Sequence, residues 1–300
     1  NYPLNLRRKQ RKGRLRMKSD LSPYDPRRGD TLRVSKSSFM QYLQCPRKFW
    51  FQYCVLYDVR TPSSEAMIRG SSIHQVMEDA LTPTLDPRPI PLAIAEEAAK
   101  TEYADDSGVQ NLSDLLQMMS DDHGELNIIS LEEKIVTYDE ENDCTLVGMI
   151  DGLFRHPDGG VIIVELKTGN LTGSKMTRNR KELAFYHRVL TLSGRFKAEE
   201  ITHYCVIAPD CQDEKLVTSM LTQKRQKRDI YLGNTAGIII VEPIANRSLN
   251  GMAKNLTESV QGIKDHNWPM KWNDYFCVEW CDYHMSCETE LTGGPSVVDQ

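Results

Sequence analysis

Residues 148–170 read GMIDGLFRHPDGGVIIVELKTGN, two β-type runs about a turn. The segment HPDGG, residues 156–160, has the proline, aspartate and paired glycines of a hairpin connection. On either side, Val147, Met149, Ile150 and Leu153 face a second run containing Ile162, Ile163, Val164 and Leu166. Apolar residues on both parities describe a strand covered on both faces. Asp151, Glu165 and Lys167 fall inside these runs. In a hairpin symmetric about Asp158, Asp151 lies opposite Glu165 and Met149 opposite Lys167. Cross-strand partners share a face, as do residues two apart on one strand, so the three charges project together. A slip of one residue would send the carboxylates to opposite faces.

Two carboxylates facing each other in an apolar setting repel, and one takes up a proton unless a cation sits between them. Hard oxygen donors suit Mg²⁺ or Mn²⁺. Lys167 beside them can orient a water or stabilise developing negative charge. A buried Asp–Lys–Glu ion network, or a hairpin whose charged face is simply wet, accounts for the same residues.

Outward from the hairpin, strand texture extends from Ile128 (IISLEEKIVTY) and resumes in ITHYCVIAP and AGIIIVEPI. Helical periodicity marks SKSSFMQYLQ, with Ser35 or Ser37 as N-cap, and PRKFWFQY, restarting at Pro46. It marks SEAMIRGSSIHQVMEDAL, KELAFYHRVLTL and SLNGMAKNLTESVQGIKDH as well. These elements predict an α/β fold, a central mixed β-sheet flanked by helices. The expected organisation is a basic, flexible segment over 1–33 and one domain over 34–300. Within it, 85–127 form a helical insertion and 246–300 a C-terminal helix with a cysteine cluster.

Three hundred residues, 40% hydrophobic, supply a large core, and no apolar run reaches the length of a membrane span. The composition suits a soluble, cytoplasmic protein with no membrane partner. A net charge of -5 argues against generic nucleic-acid binding, but the charge is unevenly spread. Arg7–Lys18 carries eight Lys/Arg and no acid, and Lys175–Lys181 and Gln223–Arg228 are further basic runs. Each is either a solvated face or a phosphate-contacting patch.

The pattern D-x13-E-x-K on a hairpin resembles the PD-(D/E)XK nuclease superfamily. LQCPRKFWFQY is similar to the N-terminal cysteine segment of RecB-type nucleases, RGSSIHQVMEDAL to their G-x-x-x-H helix, and KELAFYHRVL to their Q-x-x-x-Y helix. The resemblance implies a restriction-endonuclease-like core. It implies His74 as a further metal ligand beside Asp151 and Glu165, with the Leu166 carbonyl as another. Tyr186 would help hold the strand. Glu182 stands where glutamine is usual, adding a carboxylate to the site or repelling phosphate.

Eight cysteines in such a chain do not suggest a disulfide framework. Cys277, Cys281 and Cys287 cluster in CVEWCDYHMSC, which calls for a metal or reactive role. The resemblance extends to iron–sulfur RecB-type nucleases, the AddB nuclease domain and CRISPR-associated exonucleases. It implies that Cys45 joins the three to hold a [4Fe–4S] cluster clasping the ends of the core. The spacing here is C-x3-C-x5-C against the usual C-x2-C-x5-C, and His284 makes a Zn²⁺ site the rival. The expected activity is Mg²⁺- or Mn²⁺-dependent hydrolysis of DNA, as an exonuclease on single-stranded ends. The setting would be recombination, repair or CRISPR spacer acquisition, beside a helicase- or integrase-type partner. A catalytically inactive DNA-binding scaffold and a zinc-stabilised interaction module are the alternatives.

Overall fold

The computed structural model describes residues 21–57, 63–82, 88–222, 227–296 and 298. The Arg7–Lys18 run and residues 223–226 of the Gln223–Arg228 run lie outside these.

Seven strands form one mixed sheet: β1 (Leu32–Ser35), β2 (Ile128–Asp139), β3 (Cys144–Arg155), β4 (Val161–Leu166), β5 (Ile201–Ala208), β6 (Asp229–Leu232) and β7 (Ile238–Pro243). The order is β1-β3-β4-β5-β7-β6, with β2 also on β3. This is a restriction-endonuclease-like α/β core. The hairpin register matches the symmetric pairing expected from the turn. Gly152 stands opposite Val164 and Arg155 opposite Val161, and the next pair in step is Asp151 with Glu165. Gly160, at φ 80, takes the left-handed conformation that closes the turn.

Long strand β3 organises the site. β2 covers one of its edges along nearly the whole length, from Cys144 to Phe154. The other edge is shared. Parallel β1 takes Cys144–Val147, and antiparallel β4 takes Gly152–Arg155. Running in opposite directions along one edge, β1 and β4 point their C-terminal ends at each other across residues 148–151. Whatever follows Ser35 must therefore meet whatever ends β4.

Ten α-helices accompany the sheet in the described residues: α1 (Lys36–Gln44), α2 (Pro46–Phe49), α3 (Glu65–Leu81), α4 (Ile90–Ala98), α5 (Ser107–His123), α6 (Gly173–Leu192), α7 (Glu214–Thr222), α8 (Asn246–Lys264), α9 (Asp274–Trp280) and α10 (His284–Leu291). Helices α1, α6 and α8 cover one face, over Leu146, Ile163, Val206 and Ile240. Helices α3, α4 and α5 cover the other, over Phe154, Ile162, Val164 and Ile239. The alternation of Val161 and Ile163 against Ile162 and Val164 between the two cores is what a doubly covered strand requires. None of the described helices is long and apolar enough to cross a membrane.

Several elements differ from expectation. Helix α6 starts at Gly173, capped by the Thr172 side chain, ahead of the apolar periodicity that marks its later turns. Strands β1 and β6 have four residues each, too few to show a period. The sheet consequently begins at Leu32, two residues before the expected start of the domain.

Candidate metal centre

Ser35 ends β1 and caps α1: its side chain accepts from the Ser38 N–H while Ser38 Oγ accepts from the Ser35 N–H. This reciprocal box turns the chain sharply, so Lys36 emerges at the junction of β1 and β4. Its Nζ lies 2.6 Å from Glu165 Oε1 and 3.7 Å from Glu182 Oε2. Lys167, one residue past β4, donates to the same two atoms, at 2.5 Å and 2.9 Å. Arg178, one turn before Glu182 on α6, donates to its other oxygen at 3.0 Å. The structure thus brings together Glu165, Lys167 and Glu182, and adds Lys36.

Asp151 Oδ2 accepts from the Leu166 backbone N–H at 2.8 Å, which ties the two strands where their ladder ends. His74 approaches from α3, its Nδ1 3.8 Å from Asp151 Oδ2 and 3.3 Å from Glu132 Oε1. Gly70, one turn earlier, explains how: a Cβ there would sit 2.8 Å from Thr168 Oγ1, so only glycine lets α3 lie this close to the turn after Lys167. Arg69 fastens the same helix through paired hydrogen bonds to Asp106 and Asp210.

Glu132 is an unexpected member. Leu131 is opposite Gly152 and Glu133 opposite Ile150, so Glu132 falls across from Asp151. Its φ of 43 is left-handed, an uncommon conformation for a glutamate. Among the described residues, His74, Glu132 and Asp151 are the one trio of His, Cys, Asp or Glu whose ligand atoms all lie within 4.8 Å of one another.

The charges are strongly perturbed. Burial and the nearby Glu165 push Asp151 up to about 7, against the opposing pull of His74 and Lys36. Burial works against protonation of His74, but Glu132, Asp151 and Glu165 outweigh it and raise its pKa. Burial likewise opposes charge on Lys36, Lys167 and Glu182. In each case the opposite charges around it prevail and hold the ionised form. Glu165 Oε2 is buried and has no hydrogen-bond partner, whereas Oε1 takes both lysines. A buried carboxylate oxygen left unpaired is costly. Next to two further acids and an imidazole, it fits a divalent cation with oxygen and nitrogen ligands.

Tyr186 is placed differently from a residue that grips a strand. It is 1% exposed, with Lys36 Nζ 4.9 Å above its ring. A Cβ on Gly148 would come 3.3 Å from that ring, so β3 leaves room for it. Two grooves flank the centre and share Thr168. One, of about 690 Å³, is lined by Met67, Gly70, His74, Glu78, Glu132 and Met149. The other, of about 410 Å³, is lined by Lys167, Asn170, Lys175, Arg178, Asn179 and Glu182. Of the basic run on α6, Arg180 turns away to Glu242, joined there by Arg228.

At the opposite end of α1, Cys45 and Cys277 with Cys281 line a cavity of about 340 Å³. Cys287 is close enough for its thiol to feel the other three. Arg47 spans the segments, donating to the Trp268 carbonyl at 2.9 Å and to both oxygens of Glu290. The His284 ring is engaged with the Cys281 carbonyl at 2.9 Å. Cys54, Cys144 and Cys205 are buried elsewhere.

No curated protein matches the chain. A solved structure, that of SSO0001, is 13% identical over 85% of each chain, with a TM-score of 0.38. The family model of the PD-(D/E)XK nuclease superfamily matches residues 33–288. That span runs from β1 through the hairpin carrying Asp151, Glu165 and Lys167 to the last cysteine. The chain belongs to the PD-(D/E)XK nuclease superfamily.

Proposed function

We propose that this nuclease is a Mg²⁺- or Mn²⁺-dependent deoxyribonuclease acting as an exonuclease on single-stranded DNA ends. The observation that carries this is the convergence of His74, Glu132 and Asp151 beside the unpartnered Oε2 of Glu165. Those four side chains, with the Leu166 carbonyl, would hold the ion. When bound, a divalent cation polarises the scissile phosphate and offsets the charge that develops on it. Lys167, held between Glu165 and Glu182, orients the attacking water and meets the negative charge growing on the phosphate. Lys175 and Arg178 meet backbone phosphates in the groove on the α6 side. In the other groove, the exposed Met67 and Met149 offer apolar contact to unpaired bases. The biological setting this suits is recombination, repair or CRISPR spacer acquisition, with a helicase- or integrase-type partner.

Cys45, Cys277, Cys281 and Cys287 would hold a [4Fe–4S] cluster as a structural clasp. Cys45, Cys277 and Cys281 line one cavity, and this supports a shared cofactor there; a tetrahedral Zn²⁺ is the rival. A brown protein absorbing near ~400 nm is expected; a colourless one with stoichiometric zinc would reject the assignment.

The test is cleavage of end-labelled single- and double-stranded DNA in Mg²⁺, Mn²⁺ or EDTA, with Lys167→Ala alongside. Metal-dependent shortening of single strands, reduced at least about a hundredfold in the variant, is expected. Cleavage indifferent to EDTA or to Lys167→Ala would refute it.

A further inference from the structure

Two acids and two bases close a ring around the end of β4. Lys36 and Lys167 each reach Glu165 Oε1, at 2.6 Å and 2.5 Å, and each reaches Glu182 Oε2, at 3.7 Å and 2.9 Å. The signs alternate around the ring. Glu165 and Glu182 are 1% and 4% exposed, so neither charge is dissipated by solvent. The ring is built from three distant segments: the first residue of α1, the end of β4 and the middle of α6.

Glu182 creates a difficulty that Lys36 resolves. Its carboxylate lies at the rim of the groove that also exposes Lys167, Lys175 and Arg178. Unopposed there, a buried anion would repel a phosphate and strengthen the attraction of any nearby cation. Arg178 answers only its Oε1, at 3.0 Å; at Oε2 Lys167 cannot answer it alone, because the same ammonium serves Glu165. We infer that Lys36 is a positioning residue whose charge cancels that of Glu182, so that the pair leaves the field at the metal and phosphate positions unchanged. The inference rests on the metal-centre reading above. It adds that the substrate of this site is read through a balance of charge between α1 and α6, and that removing either member alone tilts it.

The electrostatic signature is a crossed one. Lys36→Met removes a cation while Lys167 still holds Glu165 Oε1. It should tighten Mn²⁺ binding and weaken binding of a short thymidine oligonucleotide in EDTA. Glu182→Gln should do the reverse. A unit charge several ångströms away at a partly screened site corresponds to about tenfold in each affinity. The double variant should return both affinities to within about threefold of the parent. A purely structural role would weaken both ligands in both single variants and weaken them further in the double.

The experiment is Mn²⁺ titration by electron paramagnetic resonance and oligonucleotide titration by fluorescence anisotropy. It uses the parent chain, Lys36→Met, Glu182→Gln and the double variant, with thermal midpoints confirming that each folds. Crossed single effects that cancel in the double are the expected result. Single variants that shift both ligands in one direction, or shift neither, would overturn the inference. Asp151→Asn separates the two levels. If it abolishes Mn²⁺ binding while the cycle lacks the crossed pattern, only the pairing falls; if Mn²⁺ binding survives it, the metal centre falls too.

Discussion

Glu132 stands across β2 and β3 from Asp151, and it does so with a left-handed backbone that glutamate rarely adopts. His74 donates its ring to the space between them, 3.3 Å from one acid and 3.8 Å from the other. Strain held at one residue is kept only where its surroundings determine it, and such residues gather at functional sites.

Glu132→Gly separates the two consequences of that conformation. Glycine takes φ 43 without the Cβ clash, so thermal stability should hold or rise by up to about 1 kcal/mol. The lost carboxylate should weaken Mn²⁺ binding by at least about tenfold. Calorimetric titration with thermal melts checks both; unchanged Mn²⁺ affinity would remove Glu132 from the ligand set.

Asp151 predicts a particular pH dependence. Its folded pKa of about 7 lies above the ordinary aspartate value of 3.8. Between these values the unfolded chain has already lost the proton that the fold retains. Metal-free stability should therefore fall as pH rises from about 4 to about 7, by on the order of a few kcal/mol. His74, whose raised pKa keeps it protonated longer, must also shed a proton before it can ligate. Mn²⁺ affinity should thus climb over the same range. Thermal melts with and without Mn²⁺ should diverge as pH increases, and Asp151→Asn should flatten the metal-free slope.

Arg69 carries the position of His74 at one remove. Its guanidinium is shared by Asp106 at the start of α5 and Asp210 just after β5. Arg69→Met would leave both acids in partly buried positions without their cation and should cost about 2–4 kcal/mol. Denaturant unfolding measures it. A loss below about 0.5 kcal/mol would show the clamp to be ornamental.

Arg47 tests the clasp apart from the carboxylate centre. Arg47→Ala removes the donor to Trp268 and the partner of Glu290, which should lower stability by about 1–3 kcal/mol. With the proposed cluster bound, absorbance near ~400 nm should fall as the cysteine segments loosen. Mn²⁺ affinity should stay at the parental value, since none of the metal-centre residues touches Arg47.

The hairpin was legible because its turn chemistry sets a register, and that register places Asp151 and Glu165 without further information. Lys167 follows from the same alternation. His74 has no comparable signal: a histidine on a helix becomes informative only through its spacing from Gly70 and the motifs around it. Lys36 was unreadable because its position depends on β1, a four-residue strand whose partner lies more than a hundred residues away. Glu132 and Glu133 are adjacent and chemically alike. Which one faces Asp151 is decided by a local backbone conformation that composition does not encode. Glu182 was visible as a departure from pattern, but its effect on the site was not, since its compensating cations come from α1, β4 and its own helix.

The head-on meeting of β1 and β4 has a bearing on how the protein is made. Strand β1 emerges from the ribosome more than a hundred residues before its neighbour on the sheet, Cys144–Val147, and β4 comes later still. Lys36 has no acid to meet until residue 165 has been synthesised, and the ring is incomplete until residue 182. A chain released before residue 182 lacks part of the centre, so such an unfinished copy carries no complete cutting edge.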